Sequence, residues 1–309
     1  MHPTIKNALN CLLFLVFLQA NGQSIDDKSL IETIKFLSTD ELKGRKTGSE
    51  GNAEARDFIL GQFKNIGLET HYPDYQQRFS FDNRRENTTY ENAVNVVGFV
   101  AGSSSKKLIV ITAHYDHIGI GKPDAAGDSI YNGADDNASG TAALIELAKY
   151  FNKNRPEHSM IFAALDGEEM GLQGAKALVK DFPFPMDQIV LNINMDMISR
   201  NEKGELYASG TYYNPSLKTI LESIAAESTP KLLFGHDEPN TGPDNWTQSS
   251  DHGPFFNANV PHIYFGVEDH DDYHQPSDSF ENIDQRFYIN AVNLILKCTL
   301  ALDAALPKE

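Results

Sequence analysis

Leu108-Ile109-Val110-Ile111-Thr112-Ala113 runs directly into His114-Tyr115-Asp116-His117. Side chains alternate between the two faces of a strand, so a run that is apolar or β-branched at successive positions covers both faces. Its carboxyl end then delivers a cluster of polar groups. A second run, Met160-Ile161-Phe162-Ala163-Ala164-Leu165, ends in the same way on Asp166-Gly167-Glu168-Glu169. Strands buried on both faces belong to a sheet flanked by helices, which points to an α/β three-layer sandwich with a mixed, mainly parallel central β-sheet. In such sheets reactive groups gather where strand carboxyl ends open into loops.

The pattern outward from these runs predicts further strands. Together they fall at 75–81, 95–100, 107–113, 159–165, 188–195, 205–208 and 262–265. Helical periodicity is expected at 26–37, 49–66, 139–152, 172–180, 215–227, 251–257 and 286–302. No linker or internal repeat interrupts residues 23–309, which read as a single domain.

Residues 1–22 read differently. Lys6 precedes the apolar run Cys11 to Leu18, and Ala20-Asn21-Gly22 supplies small residues where a signal peptidase cuts. The run is too short to span a bilayer, which takes about 20 residues. A signal peptide cut near Gly22 is expected, placing the mature chain in the periplasm or outside the cell. Cleavage would remove Cys11 and leave Cys298, so no internal disulfide is expected; Cys298 sits in an apolar helical stretch and reads as a core residue. The 309 residues carry 43 Asp and Glu against 26 Lys and Arg, a formal charge of -17. Such a polyanion is a poor partner for nucleic acid or an anionic membrane, and no membrane span is expected after the leader.

Five polar clusters carry the chemistry. In extended backbone His114 and Asp116 face the same way, so the imidazole can bind a metal while the carboxylate orients it. Gly133 to Gly140 places Asp135 and Asp136 before a helix start. Glu168 and Glu169 share a turn and point apart, which allows one to coordinate metal and the other to handle a proton. Asp196 lies among apolar neighbours and needs a partner. Tyr273 to Asp278 offers another imidazole, His274, on a proline-stiffened loop. Together these donors suit zinc.

The strings HYDHIG (114–119), GADDNASG (133–140), DGEEMGLQG (166–174), NMD (194–196) and YHQPSD (273–278) occur in this order. They resemble the M28 metallopeptidases, the dizinc aminopeptidases of the zinc-dependent exopeptidase fold. The likeness extends through Leu42 to Arg45, Thr47 to Ser49, Asn95 to Gly98 and Ser250 to Phe255. It implies two zinc ions per chain, one held by His114 and Asp196, the other by Glu169 and His274, with Asp136 bridging. Glu168 would be the general base, Asp116 would steady His114, and Asp278 would steady the loop of His274. The family's cis peptide after the bridging aspartate is expected at Asp136-Asn137.

The implied activity is hydrolysis of the first peptide bond of a peptide with a free N-terminus. The loops 244–254 and 268–278 hold no Lys or Arg, which favours the amino end over a carboxypeptidase's carboxylate. A glutaminyl cyclase on the same fold is the other enzymatic alternative. A silent binding module should lack ligands, and a structural zinc protein should be rich in Cys. Trp246, Phe255 and Phe256 are candidates for the side-chain pocket, and Tyr or His near 246–252 or 270–274 for an oxyanion donor. His117, His236, His252 and His270 read as spare imidazoles. The acidic run 268–272 is a candidate calcium loop.

Overall fold

The computed structural model describes residues 24–308, so the expected signal peptide lies outside the described residues. In chain order the elements are α1 (Asp27–Leu37), α2 (Glu50–Ile66), β1 (Gln76–Asn83), β2 (Thr88–Val100), β3 (Ser105–His114), the short pair β4 (Gly119–Ile120) and β5 (Ile130–Tyr131), α3 (Gly140–Lys153), β6 (His158–Leu165), α4 (Gln173–Lys180), β7 (Ile189–Met195), β8 (Glu205–Ser209), α5 (Pro215–Ala225), β9 (Lys231–Phe234), α6 (His252–Asn257), β10 (His262–Gly266) and α7 (Gln285–Ala305). Helix starts follow local chemistry. The side chains of Asp26, Ser49 and Asp284 accept from free amides in the first turns of α1, α2 and α7. Gly67 ends α2 in the left-handed conformation that a Cβ would disfavour.

Eight strands form one sheet in the order β1-β2-β6-β3-β7-β10-β8-β9. The central four, β6, β3, β7 and β10, are parallel, and antiparallel strands flank them. The successive apolar residues of β3 divide as expected: Ile109, Ile111 and Ala113 enter the larger core under α1, α2, α3, α5 and α7, while Leu108 and Val110 enter the smaller one under α4 and α6. Strand β6 does the same with Met160, Phe162 and Ala164 against Ile161, Ala163 and Leu165.

By length and apolar character α7 could cross a membrane, but most of it is buried in this core. Its last turns are tied to β6, because Asp303 accepts from the backbone amides of Glu157 and His158 and lies 2.9 Å from the His158 ring. Buried Cys298 packs in the same helix, as expected. Two features extend beyond the expected elements. Strand β2 begins at Thr88 and forms with β1 a long hairpin that reaches past the sheet edge, and Lys231–Phe234 adds an eighth strand.

Candidate metal centre

The carboxyl ends of the four central parallel strands are neighbours, and the predicted ligands lie on them. His114 is the last residue of β3, Asp196 follows β7, Glu168 and Glu169 lie on the turn after β6, and His274 lies in the loop after β10. Asp136 arrives from the turn before α3, where the Asp136-Asn137 peptide is cis as expected.

These side chains converge. His114 Nε2 lies 3.3 Å from Asp136 Oδ1 and 3.4 Å from Asp196 Oδ1. His274 Nε2 lies 3.1 Å from Asp136 Oδ2 and 3.4 Å from Glu169 Oε2. Asp136 thus offers one oxygen to each imidazole, as a bridging carboxylate must. Among the described residues, two groups of donor atoms could each hold an ion: His114, Glu168 and Asp196, and His117, Asp136 and Glu169. His117, expected to be spare, has its Nδ1 2.8 Å from Glu169 Oε1. The fit to metal rests on buried atoms. His114 Nε2 and Asp196 Oδ1 lie 3.4 Å apart and His117 Nδ1 and Glu169 Oε1 2.8 Å apart, yet all four atoms lack an aligned hydrogen-bond partner. Buried polar atoms are normally satisfied, so a set that is not, made of imidazole and carboxylate without thiolate, suits zinc.

The electrostatics agree. Burial pushes the Glu168 carboxyl well above its ordinary range, and Glu169, Asp196 and Asp251 push it further against the pull of His114. Asp251, at the mouth of α6, is fully buried with neither oxygen bonded, and burial lifts it to about 8. Burial opposes charge on His114, but Asp196 and Glu168 outweigh it and raise the imidazole. Burial also works against the Asp136 carboxylate, and His117, His114 and His274 more than offset it. The protein thus crowds carboxylates together, with imidazoles as close counter-charges and the buried Arg45 behind them.

Other residues hold the ligands in place. His114 Nδ1 meets the backbone oxygen of Asp116 at 3.2 Å and its carboxylate only at 3.7 Å. The Asp116 carboxylate instead accepts from the Glu168 amide at 3.1 Å, so it orients the glutamate turn. Asp278, in the loop of His274, accepts from the Asp135 and Asp136 amides at 2.8 and 3.0 Å and so ties that loop to the bridging aspartate. Asp135 accepts from Ser199 N and meets His270 Nε2 at 3.0 Å. Arg45 is fully buried and donates to the carbonyls of Leu37, Tyr115, Asn132 and Gly133. Burial lowers it to about 10, with Asp278 and Asp136 acting against the loss of charge. Asp166 accepts from Thr47, Asn52 and Val94 N, which explains why the upstream segments matter to a turn far along the chain.

Beside the ligands lies a pocket of about 160 Å³ whose walls include Asp136, Glu168, Asp196, Trp246, Asp269 and Tyr273. Trp246 is where the sequence placed it. Phe255 is buried in the smaller core, and Phe256 packs on Tyr213 and His262, so neither lines this pocket. His252 Nε2 meets the Trp246 carbonyl at 2.8 Å and His236 stacks on the Trp246 ring, which supports the pocket wall. In the acidic run, Glu268 pairs with Lys203 and Asp272 with Arg200. These two carboxylates are matched by side-chain cations.

The family model described as Peptidase family M28 matches residues 95–299. Aminopeptidase YwaD of Bacillus subtilis is 27% identical over 237 residues, which is 72% of this chain and 46% of that protein. The chain spans 64% and 50% of the length of two further curated relatives. Among solved structures, a leucine aminopeptidase precursor from Bacteroides thetaiotaomicron superposes with a TM-score of 0.71 at 18% identity, covering 89% of this chain and 97% of that one. A Porphyromonas gingivalis glutaminyl cyclase superposes with a TM-score of 0.73 at 16% identity, covering 91% and 99%. These two establish a shared fold and do not choose between activities. With its matched span exceeding half the sequence and the ligand types gathered at the strand ends, the chain belongs to peptidase family M28.

Proposed function

We propose that this chain is an exported exopeptidase that removes the amino-terminal residue of peptides with two zinc ions, His114 and Asp196 holding one, Glu169 and His274 the other, and Asp136 both. The observation that carries the reading is the pocket beside Glu168. At about 160 Å³ it has the capacity of one side chain; a cavity of roughly 150 Å³ accepts a benzene ring. Its walls hold four carboxylates, Asp136, Glu168, Asp196 and Asp269, and no Lys or Arg. With Asp136 and Asp196 given to the metals and Glu168 to the proton, Asp269 is the wall carboxylate left to hold an ammonium, and without Lys or Arg a terminal carboxylate finds no side-chain cation there.

Zinc held here would supply Lewis-acid polarisation of the scissile carbonyl and lower the pKa of the attacking water. Glu168 would take a proton from the attacking water and pass it to the departing amine nitrogen. Asp116 fixes Glu168 through its amide, and Asp278 fixes Asp136 in the same way. Tyr273 stacks on His274 with ring centroids 3.8 Å apart and lines the pocket, which makes its phenol the candidate donor to the developing oxyanion.

The test is a time course of a five-residue peptide ending in amino-terminal leucine, followed by mass spectrometry with zinc-loaded protein. Stepwise shortening from the amino end is expected. Shortening from the carboxyl end would assign a carboxypeptidase, and loss of ammonia from an amino-terminal glutamine peptide without hydrolysis would assign a cyclase.

A further inference from the structure

Glu168 and Ser249 also line a second and much larger cavity, of about 920 Å³, on the other side of the glutamate turn. Its far wall contains Lys46, Arg84, Arg85 and Lys176. Asp82, Glu86, Glu168 and Glu169 share the lining, so in a chain with 43 acidic and 26 basic residues the cavity is locally balanced in charge, with Arg84 and Arg85 adjacent on the hairpin. Lys46 is matched by Glu86 at 2.8 Å. Lys176 donates to the Gly171 carbonyl at 2.8 Å and keeps its charge. Among the described residues neither Arg84 nor Arg85 has a carboxylate within ion-pair distance. Of the acids in this lining, Glu168 and Glu169 belong to the metal-facing turn, and Asp82 accepts from the Thr89 hydroxyl at 2.7 Å.

The two arginines lie in the turn of the β1–β2 hairpin, and that hairpin is docked on the catalytic turn. Phe81 and Tyr90 stack at 5.1 Å with rings 9° from parallel. A Cβ added to Gly167, the residue before Glu168, would lie 3.4 Å from Phe81, and one added to Gly48 would lie 3.2 Å from Tyr90. Asn83 closes the turn, its side-chain oxygen accepting from the Arg85 and Glu86 amides at 3.0 and 3.3 Å. Glu86 accepts from Lys46 and from the Tyr90 hydroxyl, which fastens the tip to the segment after Arg45. The cationic wall is thus held at a set position relative to Glu168.

We propose that this cavity receives the departing part of the substrate, and that Arg84, Arg85 and Lys176 bind a carboxylate on it. The inference rests on the aminopeptidase reading. The two cavities that share Glu168 then divide the substrate: a small pocket without Lys or Arg for one residue bearing the ammonium, and a cavity several times larger, with Arg84 and Arg85 unpaired by carboxylates, for the remainder of the peptide. Guanidinium groups bind carboxylates through paired, charge-assisted hydrogen bonds. The favoured substrates are therefore short peptides in which the second or third residue carries a carboxylate, either a free carboxyl terminus or an acidic side chain.

The experiment compares zinc-loaded protein on Ala-Gly-Gly as the free acid, Ala-Gly-Gly amide and Ala-Glu-Gly amide, by mass spectrometry. The free acid should be cleaved with a kcat/KM about tenfold above the amide, mostly through KM, as expected of binding shared by ground and transition states. Recovery of the rate by Ala-Glu-Gly amide would assign the site to acidic side chains as well as termini. A failure to recover would restrict it to the terminus. In the double variant R84Q/R85Q the acid-to-amide ratio should fall towards one. Equal rates for acid and amide in the wild type, or an unchanged ratio in the variant, would overturn the inference while leaving the aminopeptidase reading intact. If no peptide with a free amine is cleaved, that reading fails, and calorimetry with Gly-Gly and Gly-Gly amide decides the inference separately. Acid-selective binding lost in R84Q/R85Q would uphold a carboxylate site, and equal binding would exclude it.

Discussion

Asp136 has two oxygens and the centre engages both, one 3.3 Å from the His114 imidazole and the other 3.1 Å from that of His274. If it bridges, Asp136→Ala should release both ions, and elemental analysis still finding two zincs per chain would contradict that role. Glu168→Gln should keep both ions and lose at least about 100-fold in kcat, because the proton carrier goes while the cage stays; full activity would remove Glu168 as the base. The donor types and their order along the chain were legible in the sequence because His114, Glu168, Glu169 and Asp196 follow strands whose burial is obvious and Asp136 precedes a clear helix start. His117 was not. Alternation along an extended segment places it opposite His114, but β3 ends at His114, after which alternation no longer applies. With His117 2.8 Å from Glu169, the His117→Gln variant should bind one of its two zincs more weakly, by about 10- to 100-fold. Equal affinity measured in competition with a chelator would return His117 to a structural role.

Helix α6 and strand β10 meet through stacked rings: His252 lies 5.0 Å from His262 and 4.7 Å from Tyr264. Burial lowers His262 to about 4, with Asp237 pulling the other way, and burial together with His262 lowers His252 further. An unfolded imidazole protonates near pH 6.5. Between about 4 and 6.5 the unfolded chain therefore binds a proton at His262 that the folded chain refuses. The stabilisation is complete above pH 6.5 and drains away as pH falls towards 4, by up to about 3 kcal/mol for this group. The urea midpoint should fall between pH 7 and pH 5, and the fall should shrink in His262→Phe; a fall of equal size in the variant would exclude this source. At this scale the sequence showed the helices and the central strands well, because their periodicity is long and regular. It under-read β2, whose first residues are polar and exposed beyond the sheet, and β9, only four residues long, and with β2 it missed the hairpin that carries Arg84 and Arg85.

Over the whole molecule, parallel pairing of β6, β3, β7 and β10 brings together ligands up to 160 residues apart, from His114 to His274. Strand order could not be read from composition or periodicity, since these fix which residues are buried and not which strand neighbours which. The basic wall was invisible for the same reason: Lys46, Arg84, Arg85 and Lys176 come from three separate segments. The assembled centre crowds carboxylates, so bound ions should stabilise the fold by mass action, about 4 kcal/mol when free zinc exceeds its dissociation constant 1,000-fold. Chelation should lower the melting temperature by several degrees, with restoration by added zinc; an unchanged melting curve would show that the centre is not linked to folding. The central claim is that the enzyme recognises a free amino end at the acidic pocket beside Glu168. The measurement that tests it most directly is hydrolysis of one short peptide beside its N-acetylated twin by the zinc-loaded protein. The account predicts release of the first residue from the free peptide alone, and equal cleavage of the two would contradict it.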